Sequence, residues 1–406
     1  MKFYSAIEYL CIDIANHFGL DKDLFEDRIQ WVKTNFAVLE DLLPNADVKP
    51  LYAKAVMALR QAVAGEAIGH PIALDAVCSG LQLMSAMTGC IKGASITGLV
   101  HPNVRSDAYK AITDAMNKQA GISISIPRSL AKNAVMTAFY GSKKQPKIIF
   151  GEDTPELAAF YKTMGEECPG AWTLLHELLD SWNSNALYHA WQLPDGYDVK
   201  VNVMQKVSKR IEVDELDHAT FTYEFLVNEG TEKGKSNVAN VTHSVDAYVL
   251  RTMQRKCNYD KEQIKRAAWF IKMELEGRHV GENQDGTSPE EERYQQFKMA
   301  DMYVMEYGTP DLYSTFSDEH LNHLMRLIAD VVQHEPFELI TVHDAFAAQA
   351  NNCNWVRYHY KETLADLADS EILSCILNKL YGGDGKYTKL SNDLSKYIRN
   401  SNYALG

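Results

Sequence analysis

A chain of 406 residues exceeds the size at which one hydrophobic core usually suffices, so two or three subdomains are expected. With 46% hydrophobic and 23% charged residues it has ordinary globular composition; no apolar run reaches roughly 18 residues and no charged-then-apolar leader is visible, which argues against a membrane span or secretory signal and for the cytoplasm. A formal charge of -13 argues against unaided grip on duplex DNA, leaves room for a local basic channel, and makes a basic partner attractive.

In chain order, residues 1 to 70 read as helices: FEDRIQWVKTNFAVLEDLL and KPLYAKAVMALRQAVAGEA carry apolar positions at three- and four-residue intervals. PIALD then reads as a short strand, followed by a small-residue turn and the helix-like GLQLMSAM. The region from about 104 to 195 is again mainly helical, with LAAFYKTM and AWTLLHELLDSW as examples. Between Tyr197 and Val227 the period becomes two, through Val199, Val201, Val203 and Phe221, Tyr223, Phe225, so a hairpin or small sheet is expected. A polar loop, NEGTEKGKSN, precedes VTHSVDAYVLR and a long helical stretch to about 333. Within that stretch the loop GRHVGENQDGTSPEEE ends in a helix start at Ser288, and FELITVHDAFAA follows as a strand. The seven cysteines are scattered with no C-x-x-C pair, and the thirteen histidines form no H-x-x-x-H pair, so neither a disulfide framework nor a zinc site is expected.

The segment PRSLAKNAVMTAFYGS spaces Arg128, Lys132, Met136 and Tyr140 four residues apart before Gly141. On a helix these four share one face, with two cations at one end and a ring at the other. Pro127 marks the N-terminus, where cations oppose the helix dipole, so the pattern makes most sense if an anion such as a nucleoside triphosphate docks there. Taken alone, the cations also fit a solvated face, with Met136 and Tyr140 as core. Asp75 ends PIALD, and Asp344 interrupts ELITVHDAF. Each alone also fits a cap, turn or salt bridge; together, from distant strands, they could share Mg²⁺, a hard ion suited to carboxylate and phosphate oxygens. Two such ions serve phosphoryl transfer, one at the attacking hydroxyl and one at the leaving pyrophosphate.

Five segments in one order resemble the single-subunit RNA polymerases of phages and mitochondria. LDAVCSGLQLMSAM is similar to the first palm motif, the Arg128 segment to the fingers motif, and VHDAF to the second palm motif. ANHFGLDKDLFEDRIQW resembles the stretch with an Asp-Lys pair, and THSVDAYVLR the H-S-x-D segment. The resemblance implies an α+β, mainly helical right hand with an antiparallel palm sheet. It divides the chain into palm with the first aspartate (1–103), fingers with the nucleotide-binding helix 127–140 (104–195), a hairpin and a segment with His243 (196–254), a helical insertion atypical of the family (255–330), and palm with the second aspartate and tail SNYALG (331–406).

By the same resemblance, Asp75, Asp344 and the backbone carbonyl of Ala76 would ligate two Mg²⁺ ions. Arg128 and Lys132 would hold the triphosphate, Lys22 would reach its distal phosphates, and Met136 would border the insertion site. Tyr140 would stack near the nucleotide and, with His243, select the ribose 2′-OH; Gly141 would let backbone approach the templating base. The bland readings stand beside these: His243 as a core histidine, Lys22 as a surface charge beside Asp21, Gly141 as a helix cap. Asn133, Leu83 and Ala345 depart from the family pattern without removing a metal ligand.

The implied activity is DNA-dependent RNA synthesis from nucleoside triphosphates on a DNA template. The alternatives are a related DNA polymerase, which would carry a glutamate where this chain has AVCSG and HDAF, and a catalytically silent nucleic-acid-binding subunit. The family's D-x-x-G-R motif, thumb and N-terminal domain lie ahead of its Asp-Lys segment, whereas only 20 residues precede Asp21 here. A second polypeptide is therefore expected to supply them, as in the two-subunit polymerases of N-four-type phages, with a single-stranded-DNA-binding or promoter-recruiting protein as a further partner in the cytoplasm of an infected host.

Overall fold

The computed structural model describes residues 1–119, 125–231, 237–282 and 286–406. The chain is α+β and mainly helical, with small antiparallel sheets, the central one built from β1 (Pro71–Asp75), β6 (Ile340–Val342) and β7 (Ala345–Gln349) in the order β1-β7-β6. Alternation explains its register: Ile72 and Leu74 are buried, as are Phe346 and Ala348 opposite them, so Asp75 is left at the strand end facing Ala345. The sheet is enclosed by helices whose packed faces include all of Ser79–Thr88 and most of Cys353–Asp369.

The expected strand FELITVHDAFAA is instead a hairpin. β6 and β7 pair through Val342 and Ala345, leaving His343 and Asp344 as a two-residue turn, with His343 at φ 55°. Histidine and aspartate tolerate this left-handed region and break the apolar run. Asp344 is thus a turn residue, and it reaches Asp75 because β1 lies antiparallel to β7; the Ala76 amide donates to the Asp344 carbonyl at 3.2 Å.

Other expectations shift in detail. The helix expected over FEDRIQWVKTNFAVLEDLL stops at Asn35, and 3₁₀ turns at Phe36–Val38 and Leu43–Asn45 carry the chain on. The expected hairpin is two: β2 (Tyr188–Gln192) with β3 (Asp198–Asn202), and β4 (Gln205–Val213) with β5 (Ala219–Val227). β2 falls in a region read as helical; its buried His189 and Trp191 alternate with exposed neighbours, the strand period. Parts of the loops NEGTEKGKSN and GRHVGENQDGTSPEEE lie outside the described residues.

A second buried cluster, from Tyr259 to Val331, packs helices Lys261–Leu275 and Asp318–Val331 around their own apolar stripe. Arg255 ties it to the rest through Asp195 at 3.3 Å and Asp301 at 3.4 Å, while Arg251 holds Asp195 in a fork at 2.6 and 3.0 Å. The tail Ser401–Leu405 is buried: Leu405 bridges Ala76, and the Gly406 amide donates to the Asp75 carbonyl at 3.0 Å.

Candidate active site

A cleft of about 840 Å³ lies where these elements meet. Its walls include Lys22, Asp75, Ala76, Arg128, Lys132, Met136, Tyr140, His243 and Asp344, so nine of the ten residues singled out in the sequence face one space. Gly141 does not. At φ 84° it caps the helix, its amide donating to the Ala138 carbonyl at 2.9 Å, and it borders a separate cavity of about 280 Å³ with Trp172 and Leu179.

The cations are held by scaffolding that the sequence reading passed over. Helix Arg128–Ala138 begins after Pro127, whose missing amide proton is no loss there. Arg128 Nε donates to Asp107 at 2.7 Å, and Asp107 also caps helix Ala108–Asn117 by accepting from the Lys110 amide. The Tyr109 ring lies 5.6 Å beneath both Arg128 and Lys132. Lys22 pairs with Asp21 at 2.5 Å on a loop whose carbonyls are gathered by the buried Arg28 guanidinium. Tyr140 follows the helix on its closing turn, beyond the helical 128–138, so the four-residue face is continuous only to Met136.

Tyr140 and His243 stand with ring centroids 4.9 Å apart. The Tyr140 hydroxyl approaches helix Ser79–Thr88 closely: a Cβ at Gly80 would lie 2.9 Å from it. Burial pushes that hydroxyl up to about 12, and partial burial with His343 nearby holds His243 below its ordinary value. Cys78, at φ 59° in the turn after β1, has its thiol pushed up to about 11 by burial and is not a nucleophile at neutral pH.

Five aspartates line the cleft; Asp21 pairs with Lys22 and Asp107 with Arg128, which leaves Asp75, Asp344 and Asp246. Burial and then the Asp344 charge raise the Asp75 carboxyl, and the same two causes push Asp246 up to about 6. Lys22 and Arg128 are engaged elsewhere, and none of the three aspartates forms a salt bridge among the described residues. Clustered hard oxygens without a resident cation fit a divalent ion such as Mg²⁺. Among the described residues, the set of three metal-capable side chains within 4.8 Å is instead the exposed Glu212, Asp214 and His218 at the β4–β5 tip. Asp246 was legible in principle, since it follows His243 by three residues on one helix face. Arg28 was legible too, as a charge on the apolar side of a helix beside Phe25, Ile29 and Val32.

The Asp246 shift makes a pH prediction. A carboxyl raised in the folded state keeps a proton that the unfolded chain has released, so in chelator stability falls as pH rises from about 4 to about 6. Asp246→Asn is expected to stabilise the chain by about 1–2 kcal/mol at pH 7.5 and by little at pH 4. Urea unfolding in EDTA at the two pH values checks this, and an equal difference at both would refute it.

Residues 4–146 match the family described as DNA-dependent RNA polymerase. Similar relatives include the DNA-directed RNA polymerase of Pseudomonas phage phiKMV, 30% identical over 34% of this chain and 21% of its own length. A probable DNA-directed RNA polymerase of Gelasinospora sp. is 29% identical over 32% of this chain and 18% of its own. The mitochondrial DNA-directed RNA polymerase of Schizosaccharomyces pombe is 28% identical over 34% of this chain and 14% of its own. The chain thus spans about a fifth or less of these relatives. The family match includes Lys22, Asp75, Arg128, Lys132 and Tyr140, whereas His243, Asp246 and Asp344 lie beyond it and reach the cleft through the fold. No helix among the described residues is long and apolar enough to cross a membrane. This chain is similar to the DNA-dependent RNA polymerase family over residues 4–146, and over about a third of its length to polymerases of a phage and of mitochondria.

Proposed function

We propose that the chain carries the nucleotidyl-transfer site of a DNA-dependent RNA polymerase, adding nucleotides to an RNA 3′-OH and releasing pyrophosphate. The observation that carries this reading is the meeting, in one cleft, of Asp75 and Asp344 with the cations of the Arg128 helix and the Tyr140–His243 pair.

In this reading Arg128 and Lys132 bind the triphosphate, their side chains already steered by Asp107 and Tyr109. Lys22 meets the distal phosphates from its loop. Asp75, Asp344 and the Ala76 carbonyl would hold two Mg²⁺ ions; when bound, these would neutralise phosphate charge and favour the ionised 3′-hydroxyl. Met136 borders the incoming nucleotide, and Gly141 allows backbone near the template. The remaining parts of the hand, with the D-x-x-G-R motif, would come from outside residues 1–406, as a second subunit in the N-four-type arrangement, and a single-stranded-DNA-binding or promoter-recruiting protein would bring the template. Palm and fingers would follow the division expected from sequence, in the cytoplasm of a phage-infected host.

The test is extension of an RNA primer on a DNA template with Mg²⁺ and ribonucleotides, by the chain together with whatever proteins co-purify with it. Template-directed RNA growth supports the reading; absence of growth with all partners present ends it. The same assay checks sugar selection. The Tyr140 hydroxyl is worth roughly one hydrogen bond to a charged or polar partner, so Tyr140→Phe is expected to reduce ribose preference about tenfold. An unchanged ratio of ribo- to deoxyribonucleotide use would remove Tyr140 and His243 from that role.

A further inference from the structure

Four lysine and arginine side chains line the cleft among the described residues, and three are engaged: Lys22 by Asp21, Arg128 by Asp107, and Lys132 by the Tyr109 ring. Arg105 is different. Among the described residues its buried Nε has no hydrogen-bond partner, and its one hydrogen bond is a 3.3 Å contact from NH1 to the carbonyl of the adjacent Ser106. Asp21, Asp107 and Asp75 are near enough to act on its charge, yet none comes within ion-pair distance among the described residues. A guanidinium has five donors, and a buried one left unmatched is costly.

The side chain is also held in place. A Cβ at Gly406 would come within 3.2 Å of its Cζ and Nε, so backbone packs directly against it. Asp21, which pairs with Lys22, and Asp107, which pairs with Arg128, both act on its charge. The engaged cations and this uncommitted fork thus line one cleft.

We propose that Arg105 is a phosphate-binding residue of this cleft. This rests on the polymerase reading above. Its planar fork matches two phosphate oxygens, which neither lysine of the cleft can do. The phosphate is that of the incoming triphosphate or of the terminal phosphodiester of the product strand; both present the same oxygens.

The experiment compares the full chain with Arg105→Gln and Arg105→Lys, measuring dissociation constants for ATP with Mg²⁺ and for an RNA–DNA hybrid, alongside the melting temperature. Arg105→Gln is expected to weaken binding of at least one probe by about 10- to 100-fold at an unchanged or higher melting temperature, with partial recovery in Arg105→Lys. Loss confined to ATP assigns the triphosphate, and loss confined to the hybrid assigns the product strand. The proposal is overturned if both constants stay within about twofold while Lys132→Ala weakens ATP. It is equally overturned if both are lost together with a lowered melting temperature, which marks Arg105 as structural. If the parent chain binds neither probe, the polymerase reading itself fails and takes this proposal with it.

Discussion

Asp344→Asn is expected to reduce RNA primer extension by about 1000-fold or more while leaving the chain folded. The reason is electrostatic. Asp75, Asp246 and Asp344 face one cleft without a salt bridge among the described residues, and the Asp344 charge raises both neighbours. In the resting protein this charge is a liability, so its removal in chelator should stabilise the fold by about 1 kcal/mol. With a divalent ion the sign reverses: Mg²⁺ at 10 to 100 times its dissociation constant should raise the parent's stability by about 1.4–2.7 kcal/mol and the variant's by little. Loss of an anionic ligand where transition-state charge develops accounts for the activity loss. Asp75→Asn should behave alike, because β1 holds it opposite the Asp344 turn. Calorimetric melting with EDTA and with Mg²⁺, together with the extension assay, separates the two effects. Equal extension by Asp344→Asn and the parent would rule out the metal-ligand role.

Arg28→Met should be the most damaging substitution away from the carboxylates. Arg28 is fully buried and makes four hydrogen bonds: to the Asp23 carbonyl from Nε at 3.0 Å and NH2 at 2.8 Å, to the Asp21 carbonyl at 3.0 Å, and to Asn16 Oδ1 at 2.6 Å. Its guanidinium also lies 4.9 Å from the Phe25 ring centre. Methionine fills much of the volume but leaves those carbonyl groups unmatched, which costs about 3 kcal/mol or more. The loop bearing Lys22 is then no longer tied down, so the apparent KM for nucleotide should rise about tenfold alongside the loss of stability. Arg28→Lys keeps the charge without the fork and should fall between. Urea unfolding and nucleotide titration of the three proteins check this; stability of the Arg28→Met protein within about 0.5 kcal/mol of the parent, well inside the cost of unmatched half-buried carbonyls, would show that the loop holds itself.

The Arg128 face and the two aspartates were legible in local pattern, whereas Lys22, Ala76 and His243 came from the family resemblance. The Arg128-to-Met136 spacing is a helical face whatever surrounds it, and PIALD alternates as a half-buried strand must. The hairpin at His343 and Asp344 was less legible, since an apolar-rich run such as ELITVHDAF reads as one strand until tertiary pairing folds it back. Tyr140 escaped the helix for a related reason: Gly141, at positive φ, ends it one turn early, and sequence spacing alone does not say where a helix stops. Asp107, Tyr109 and Arg105 carried no periodic signal, for their importance lies in what stands beside them.

From sequence alone came the mainly helical α+β class, the separation of the two aspartates, and the cationic face at one helix start, because backbone propensity and side-chain period are properties of short segments. Tertiary structure decided that Asp75 and Asp344 meet through antiparallel β1 and β7, that Asp246 joins them, and that Gly141 turns to another cavity. Contacts between residues 270 positions apart, such as Asp75 and Ala345, arise from packing of distant segments, and no local pattern encodes which of them will touch.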